Sequence, residues 1–366
     1  MTAPASLGPF LASSLRRNDV RMASFGARLL DVLTGHALTM MINLGHRTGL
    51  FDAAAQGPAT CTELAARAGL AERYVREWLG AMVTGEIMEY APATGRYTLP
   101  AEHAEFLTGE RARNIGPTAQ MLGSLDSLLP AVAAGFRSGG GVDYADYAVA
   151  TEGRMGASWR HVYDEQLVDG FLAAVPGLTD RLRAGARVLD LGCGTGHAIA
   201  VLAAAFPATE CVGLDIAPEA IAAAEAERAG IGIANARFLV GDAADPLPAG
   251  PYDVVLAFDA IHDQQRPDTV LRRVRDVLAP DGVFVMVDAK FASAVEDNVG
   301  NPYAPMSYAI STMFCVPSTL ARGGVALGAM WGTDTARRML SDAGFTEVTV
   351  LDSPRPQNCV YACRAC

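Results

Sequence analysis

From Arg187 onward, apolar residues come in short, β-branched runs separated by alanine-rich stretches with helical spacing. The runs predict strands over 187–191, 210–215, 236–240, 252–258, 283–288, 346–351 and 358–364. Between them the pattern predicts helices over 197–206, from Pro218, over 267–278 and over 334–343, the last stopping at Gly344. Strand and helix alternate, so the expected fold class is α/β: a doubly wound, mostly parallel sheet of seven strands. Ligands of such sheets sit at the carboxyl ends of the strands.

Upstream the rhythm is helical. Leu29, Leu30, Leu33, Leu38, Met41 and Ile42 fall on helical spacing between 24 and 51, and Met40–Met41 reads as core or dimer packing. In 61–99, Thr62 is expected to cap a helix to Ala68, Gly69 to make the turn, and a second helix to run from Ala71 to Val83. Two short strands, 87–90 and 96–99, are expected to follow around Pro92–Gly95. Two helices around a glycine turn, then a hairpin, form a winged helix-turn-helix pattern. The chain therefore divides into a mostly α winged-helix domain (1–110), a helical connector (111–170) and an α/β domain (171–366). Residues 289–332 are too long for a simple connection and read as an insertion over the ligand edge.

The chain has 366 residues, enough for two domains, and a net charge of −11 from 29 basic and 40 acidic residues. That balance disfavours nucleic acid, whose binders need clustered cations. The second helix of the winged pattern carries Glu72 and Glu77 beside Arg73 and Arg76, so its charge cancels, and a dimerising role is the favoured reading. No run of about 18 apolar residues suggests a membrane span, and "MTAPASLGPFLASSLRRNDV" lacks the apolar core of a secretion signal. Seven cysteines, an odd number, read as reduced thiols of a cytoplasmic protein. The tail "CVYACRAC" has no second pair of ligands to complete a zinc site.

The chemistry is concentrated at "VLDLGCGTG", 188–196, where a strand turns into a helix. Gly192, Gly194 and Gly196 permit a tight turn and close approach of a ligand. The spacing differs from the G-x-G-x-x-G of dinucleotide sites, and Asp190 before the first glycine would repel a pyrophosphate and welcome a cation. Asp215 ends the second strand, where a carboxylate can accept from two ribose hydroxyls. Asp242 follows the third strand, in position to accept from an adenine amino group.

This set of motifs resembles the class I S-adenosylmethionine (SAM)-dependent methyltransferases, whose domain is Rossmann-like, over residues 171–366. With the winged-helix domain in front, the chain is similar to small-molecule O-methyltransferases that dimerise through that domain. It is similar over nearly its whole length to an actinobacterial group sharing "ERYVREWLGAM", "FDAIHDQ", "DGVFVMVD" and "GGVALGAMWG". The resemblance implies that Asp190, Gly192, Gly194 and Gly196 hold the methionine part of SAM. It implies Asp215 for the ribose and Asp242 with Ala243 for the adenine; Ile216, Phe258 and Asp259 are further candidates to bind the cofactor. The product would be S-adenosylhomocysteine, the acceptor a small, partly apolar molecule, and the assembly a homodimer without nucleic-acid or membrane partners.

Methyl transfer is an in-line displacement, and an alcohol acceptor also needs a base. His262, four residues past the fourth strand, is the candidate base, and Asp263 either orients it or is a solvated loop acid. The competing reading makes His262 a loop or cofactor-adjacent residue. O-methyltransferases of this type carry His-Asp-Trp here; this chain has Gln264 in place of Trp. Asp259 either contacts the sulfonium side or caps the turn. Asp288 and the distant Asp297–Asn298 do not form the acid cluster of a Mg²⁺ site, so no metal is expected. Met313, Phe314 and Trp331 of the insertion are candidates to line an apolar acceptor pocket. Transfer to nitrogen, sulfur or carbon, and a SAM-sensing winged-helix regulator, are the alternatives.

Overall fold

The computed structural model describes residues 9–151 and 156–365, with side chains from residue 21. The first eight residues of the N-terminal stretch and Cys366 of the tail lie outside the described residues. Two compact units form: one takes the chain to Gly109 with Asn114–Gly123, the other Glu110–Arg113 with Ser124 onward. The segment 111–170 is thus shared between two units rather than a third.

The first unit opens with the long helix Pro9–Arg47 and the short helix Leu50–Ala55. The helix-turn-helix follows as Cys61–Ala68 and Glu72–Thr84, with Gly69 left-handed between them (φ 66°). Thr60, not Thr62, caps the first of these. Its backbone is extended, its side chain accepts from Glu63 N, and the Glu63 side chain accepts from Thr60 N in return. This is a T-x-x-E capping box, two residues upstream of the expected cap. Thr62 lies inside the helix and donates to Glu72 instead. Leu64, Val75, Leu79 and Met82 are buried at helical spacing, and Trp78 donates Nε1 to Met41 O at 2.9 Å. The wing is β1 (Glu89–Ala91) against β2 (Arg96–Thr98). Arg73 and Arg76 are each paired with a glutamate four residues away on their own helix.

The second unit is a seven-stranded sheet. Its strands are β3 (Arg187–Leu191), β4 (Glu210–Asp215), β5 (Ala236–Val240), β6 (Tyr252–Phe258), β7 (Leu278–Ala289), β8 (Glu347–Asp352) and β9 (Asn358–Arg364). The order is β5-β4-β3-β6-β7-β9-β8, with β9 antiparallel to both neighbours and the other pairings parallel. The expected helices are present as His197–Ala205, Pro218–Ile231, Pro267–Val277 and Thr333–Asp342. β7 starts five residues earlier than its apolar run, because Leu278 is already extended and pairs with Tyr252. β3 and β6 are buried on both faces, which is why they read as unbroken apolar runs instead of alternating ones. Chain order reverses between β3 and β6, which opens a crevice at their carboxyl ends. The stretch 157–172 begins as an α-helix and widens to a π-helix at Leu167. The insertion folds as Ala304–Ile310, a π-turn over Ser311–Cys315, and Val316–Leu320.

Candidate active site

The glycine loop is shaped by backbone and packing demands together. Gly192, Gly194 and Gly196 all have positive φ (69°, 54° and 77°). A Cβ on Gly196 would come within 2.6 Å of Ala224 and the Phe238 ring, so this glycine lets the helix seat on the sheet. A Cβ on Gly194 would meet nothing within 4 Å, so open space faces that residue.

Three strand ends bring the acids to the crevice. Asp190 is 2% exposed, and no hydrogen bond to its carboxylate is found among the described residues. Burial, then the nearby Asp215 carboxylate, push its pKa well above the ordinary range. A buried carboxylate without a partner suits a ligand that carries cationic groups. The Asp215 carboxylate is fixed by Gly194 N (2.8 Å to Oδ2) and Ala217 N (2.9 Å to Oδ1), with lone pairs left for two hydroxyls. Ile216 beside it is an exposed apolar residue. Gly241 N donates to Asp215 O, which sets Asp242 next to the β4 end. Asp242 in turn accepts from Ala244 N, and Ala243 is buried. The residues present therefore fit SAM: an orphan acid for its cations, a fixed acid for its ribose, and an acid with a small buried neighbour for its base.

At the end of β6, Phe258 packs edge-on against Tyr163, with ring centroids 5.3 Å apart. Asp259 is left-handed (φ 47°), and Oδ1 accepts from Asn358 Nδ2 at 3.1 Å. Burial and Asp288 outweigh His262 and Arg355 and raise its pKa to about 7.

His262 is buried, 3% exposed. Its Nδ1 lies 2.8 Å from Asp288 Oδ1; a carboxylate can only accept, so Nδ1 carries a proton and Nε2 is left to other partners. Asp288 is completely buried, and Oδ1 also accepts from Ala289 N (2.7 Å) and Trp331 Nε1 (3.1 Å). Nε2 faces Asp263 Oδ1 at 3.6 Å and Cys315 Sγ at 3.8 Å. Burial would lower the His262 pKa, but Asp288 and Asp263 prevail and hold it well above the ordinary histidine value.

The residue hydrogen-bonded to His262 Nδ1 is Asp288, 26 positions downstream, whereas Asp263 stands beyond hydrogen-bond distance. Trp331 is 5% exposed and gives its indole N–H to Asp288, so it braces the His–Asp pair. Met313 and Phe314 are partly buried against Leu125, Leu128, Val132, Val142 and Tyr147, and Tyr147 donates its hydroxyl to Met313 O. Cys315, unmarked in the linear pattern, is carried to His262 by the π-turn of the insertion. Donor atoms of Asp259, His262 and Asp288, and of His262, Asp263 and Cys315, also come within 4.8 Å of one another, a proximity that linear spacing hides.

A glycine loop with acids at the ends of β3, β4 and β5, in this strand order, is the layout of a class I SAM-dependent methyltransferase fold. Residues 182–344 match a methyltransferase domain and residues 36–109 an Rv2258c-like winged HTH domain. A winged HTH domain thus precedes a methyltransferase domain in this chain. A trans-aconitate 2-methyltransferase of Methylobacterium radiotolerans is 31% identical over 179 residues, 48% of this chain and 59% of that protein. The chain spans less than two thirds of the length of the first curated relatives it matches. Among solved structures, the mitomycin 7-O-methyltransferase MmcR covers 95% of this chain and 100% of its own, with a TM-score of 0.70 at 19% identity. Human N-acetylserotonin methyltransferase in complex with SAM covers 93% and 98%, with a TM-score of 0.69 at 18% identity. At these identities the two structures speak for the fold. No helix among the described residues is long and apolar enough to cross a membrane.

Proposed function

We propose that this protein methylates an oxygen atom of a small, partly apolar molecule, working as a cytoplasmic homodimer. The observation that carries the reading is the buried His262–Asp288 pair beside the SAM edge. When bound, SAM supplies an electrophilic methyl group on a sulfonium. Asp190 offsets positive charge of the methionine part, while Asp215 and Asp242 anchor the nucleoside. His262, with Nδ1 held by Asp288, takes the acceptor proton at Nε2 as the new bond to oxygen forms. Its raised pKa makes it a stronger base, at the cost of being protonated at low pH. The acceptor therefore reacts faster as pH rises through the His262 pKa.

Oxygen is favoured because the structural neighbours include the mitomycin 7-O-methyltransferase. The homodimer reading rests on the helix Pro9–Arg47. Every residue from 21 to 37 is exposed, including Phe25, Leu29, Leu30 and Leu33, an apolar load that a lone helix does not carry stably in water. The cytoplasmic reading rests on six free cysteines among the described residues. Incubation with SAM and a panel of phenols, carboxylic acids, alcohols, amines and thiols tests the acceptor class. A 14-unit mass gain on oxygen acceptors supports the reading; gain on amines or thiols alone overturns it.

A further inference from the structure

The crevice collects acids, yet SAM also carries a carboxylate. Asp190 ends β3 and Asp259 follows β6, and burial with neighbouring carboxylates raises both pKa values, so a further negative charge is unfavourable there unless a cation is built in. Arg355 is a cation that acts on Asp259. Arg355 lies on the loop between β8 and β9; β8 runs parallel to β7, so this loop opens at the same sheet edge as the ends of β3 and β6. Its guanidinium sits 4.7 Å over the Trp159 ring, Trp159 stacks on Tyr163 at 5.3 Å, and Tyr163 packs on Phe258 at 5.3 Å. An unbroken aromatic ladder thus joins Arg355 to the end of β6.

The ladder is fixed from outside. His197, first residue after the glycine loop, contacts Asp164 at 2.7 Å and Glu227 at 2.6 Å, and Arg160 makes a two-pronged pair with Glu227. These contacts clamp the helix that carries Trp159 and Tyr163 against the helix that follows the glycines. Ser353 Oγ bonds to both N and O of Arg355, which holds the loop backbone. With the Gln357 amide turned to present its oxygen, Nε and Nη2 of Arg355 donate to it at 3.0 and 2.7 Å. Nη1 is left buried without a hydrogen-bond partner among the described residues. A buried guanidinium donor without an acceptor is costly, and a carboxylate is the acceptor whose geometry it fits. The electrostatics agree: burial lowers the Arg355 pKa, Asp259 and Tyr163 oppose that, and Tyr163 is itself influenced by Asp190, Asp259 and Arg355 together.

We propose that Arg355 binds a carboxylate at the methionine end of the cofactor crevice, and that this carboxylate belongs to SAM itself. Arg355 is then the residue that distinguishes SAM from its decarboxylated form. The proposal rests on the SAM reading above. It is separated from that reading by titrating the full chain calorimetrically with SAM and with decarboxylated SAM, without acceptor. For the wild type, SAM binds more tightly than the decarboxylated form. In Arg355→Gln, SAM binds roughly tenfold to a hundredfold more weakly, decarboxylated SAM binds within about threefold of wild type, and the preference between them collapses. Arg355→Lys, which keeps the charge but loses the fork, recovers part of the preference. Equal weakening of both ligands, or unchanged SAM affinity, overturns the proposal. If SAM affinity is unchanged while KM rises only for carboxylate-bearing acceptors, the carboxylate belongs to the acceptor and the assignment to SAM is wrong. If the wild type binds neither ligand, the SAM reading itself fails.

Discussion

Replacing Asp288 by Asn tests the His–Asp pair at its root. Asp288 Oδ1 accepts from His262 Nδ1, Ala289 N and Trp331 Nε1, at 2.8, 2.7 and 3.1 Å. An amide oxygen can keep all three bonds but loses the negative charge. Charge-assisted hydrogen bonds contribute about 1.5–3 kcal/mol against about 0.5–1.5 for neutral ones, so the imidazolium loses about 1–2 kcal/mol. At about 1.4 kcal/mol per pKa unit, the His262 pKa falls by roughly one unit. Because the folded-state pKa is raised, the pair stabilises the fold fully below the unfolded value and loses that contribution as pH rises through the folded value. Asp288→Asn should therefore cost more stability at low pH than at high pH. A separate, pH-independent cost of about 1–3 kcal/mol comes from placing an NH2 where Oδ2 now lies buried and unpartnered. In the rate profile, neutral His262 is the active form, so kcat rises with pH through its pKa. The rising limb of Asp288→Asn should move down by about one pH unit, and the plateau should fall because the base is weaker. The assay is kcat against pH with saturating SAM, paired with thermal melts across the same range. A limb that stays where the wild-type limb lies refutes the assignment of the limb to a His262 held by Asp288.

His262→Ala should lower kcat by about a hundredfold to ten-thousandfold while the Kd for SAM stays within a few-fold; turnover near wild type would return His262 to a structural role. Gly196→Ala places a Cβ in a left-handed residue and against Ala224 and Phe238, so the melting midpoint should drop, by an amount equivalent to about 1–3 kcal/mol. Leu30→Glu with Leu33→Glu on the exposed face of the long helix should convert a dimer to a monomer in light scattering; a wild-type monomer would contradict the proposed assembly.

The sheet and the acids at its carboxyl edge were legible because their signals are local. β3, β4 and β6 are buried on both faces and leave continuous apolar runs, and each acid lies within two residues of the strand that positions it. The cluster around His262 was only half legible. His262 follows β6 directly, but its partner ends β7, and Trp331 and Cys315 come from an insertion whose π-turn no apolar period announces. Asp263 attracted the orienting role through adjacency, yet its Oδ1 stops 3.6 Å from His262 Nε2 and ends buried without a hydrogen bond. Thr62 drew the cap for a similar reason: it precedes the apolar period, whereas Thr60 has the extended backbone that a cap requires. Arg355 gave no signal, since its relation to Trp159 and the end of β6 exists only once the sheet has closed.

The account stands on SAM bound at the crevice between β3 and β6, with Asp215 on its ribose. Calorimetric titration of SAM into the wild type and into Asp215→Ala measures this directly. The predicted result is one SAM per chain for the wild type, and binding weakened at least roughly tenfold in the variant, since a charge-assisted acceptor of the ribose is lost. Absence of SAM binding by the folded wild type, or equal affinity in the variant, would contradict it.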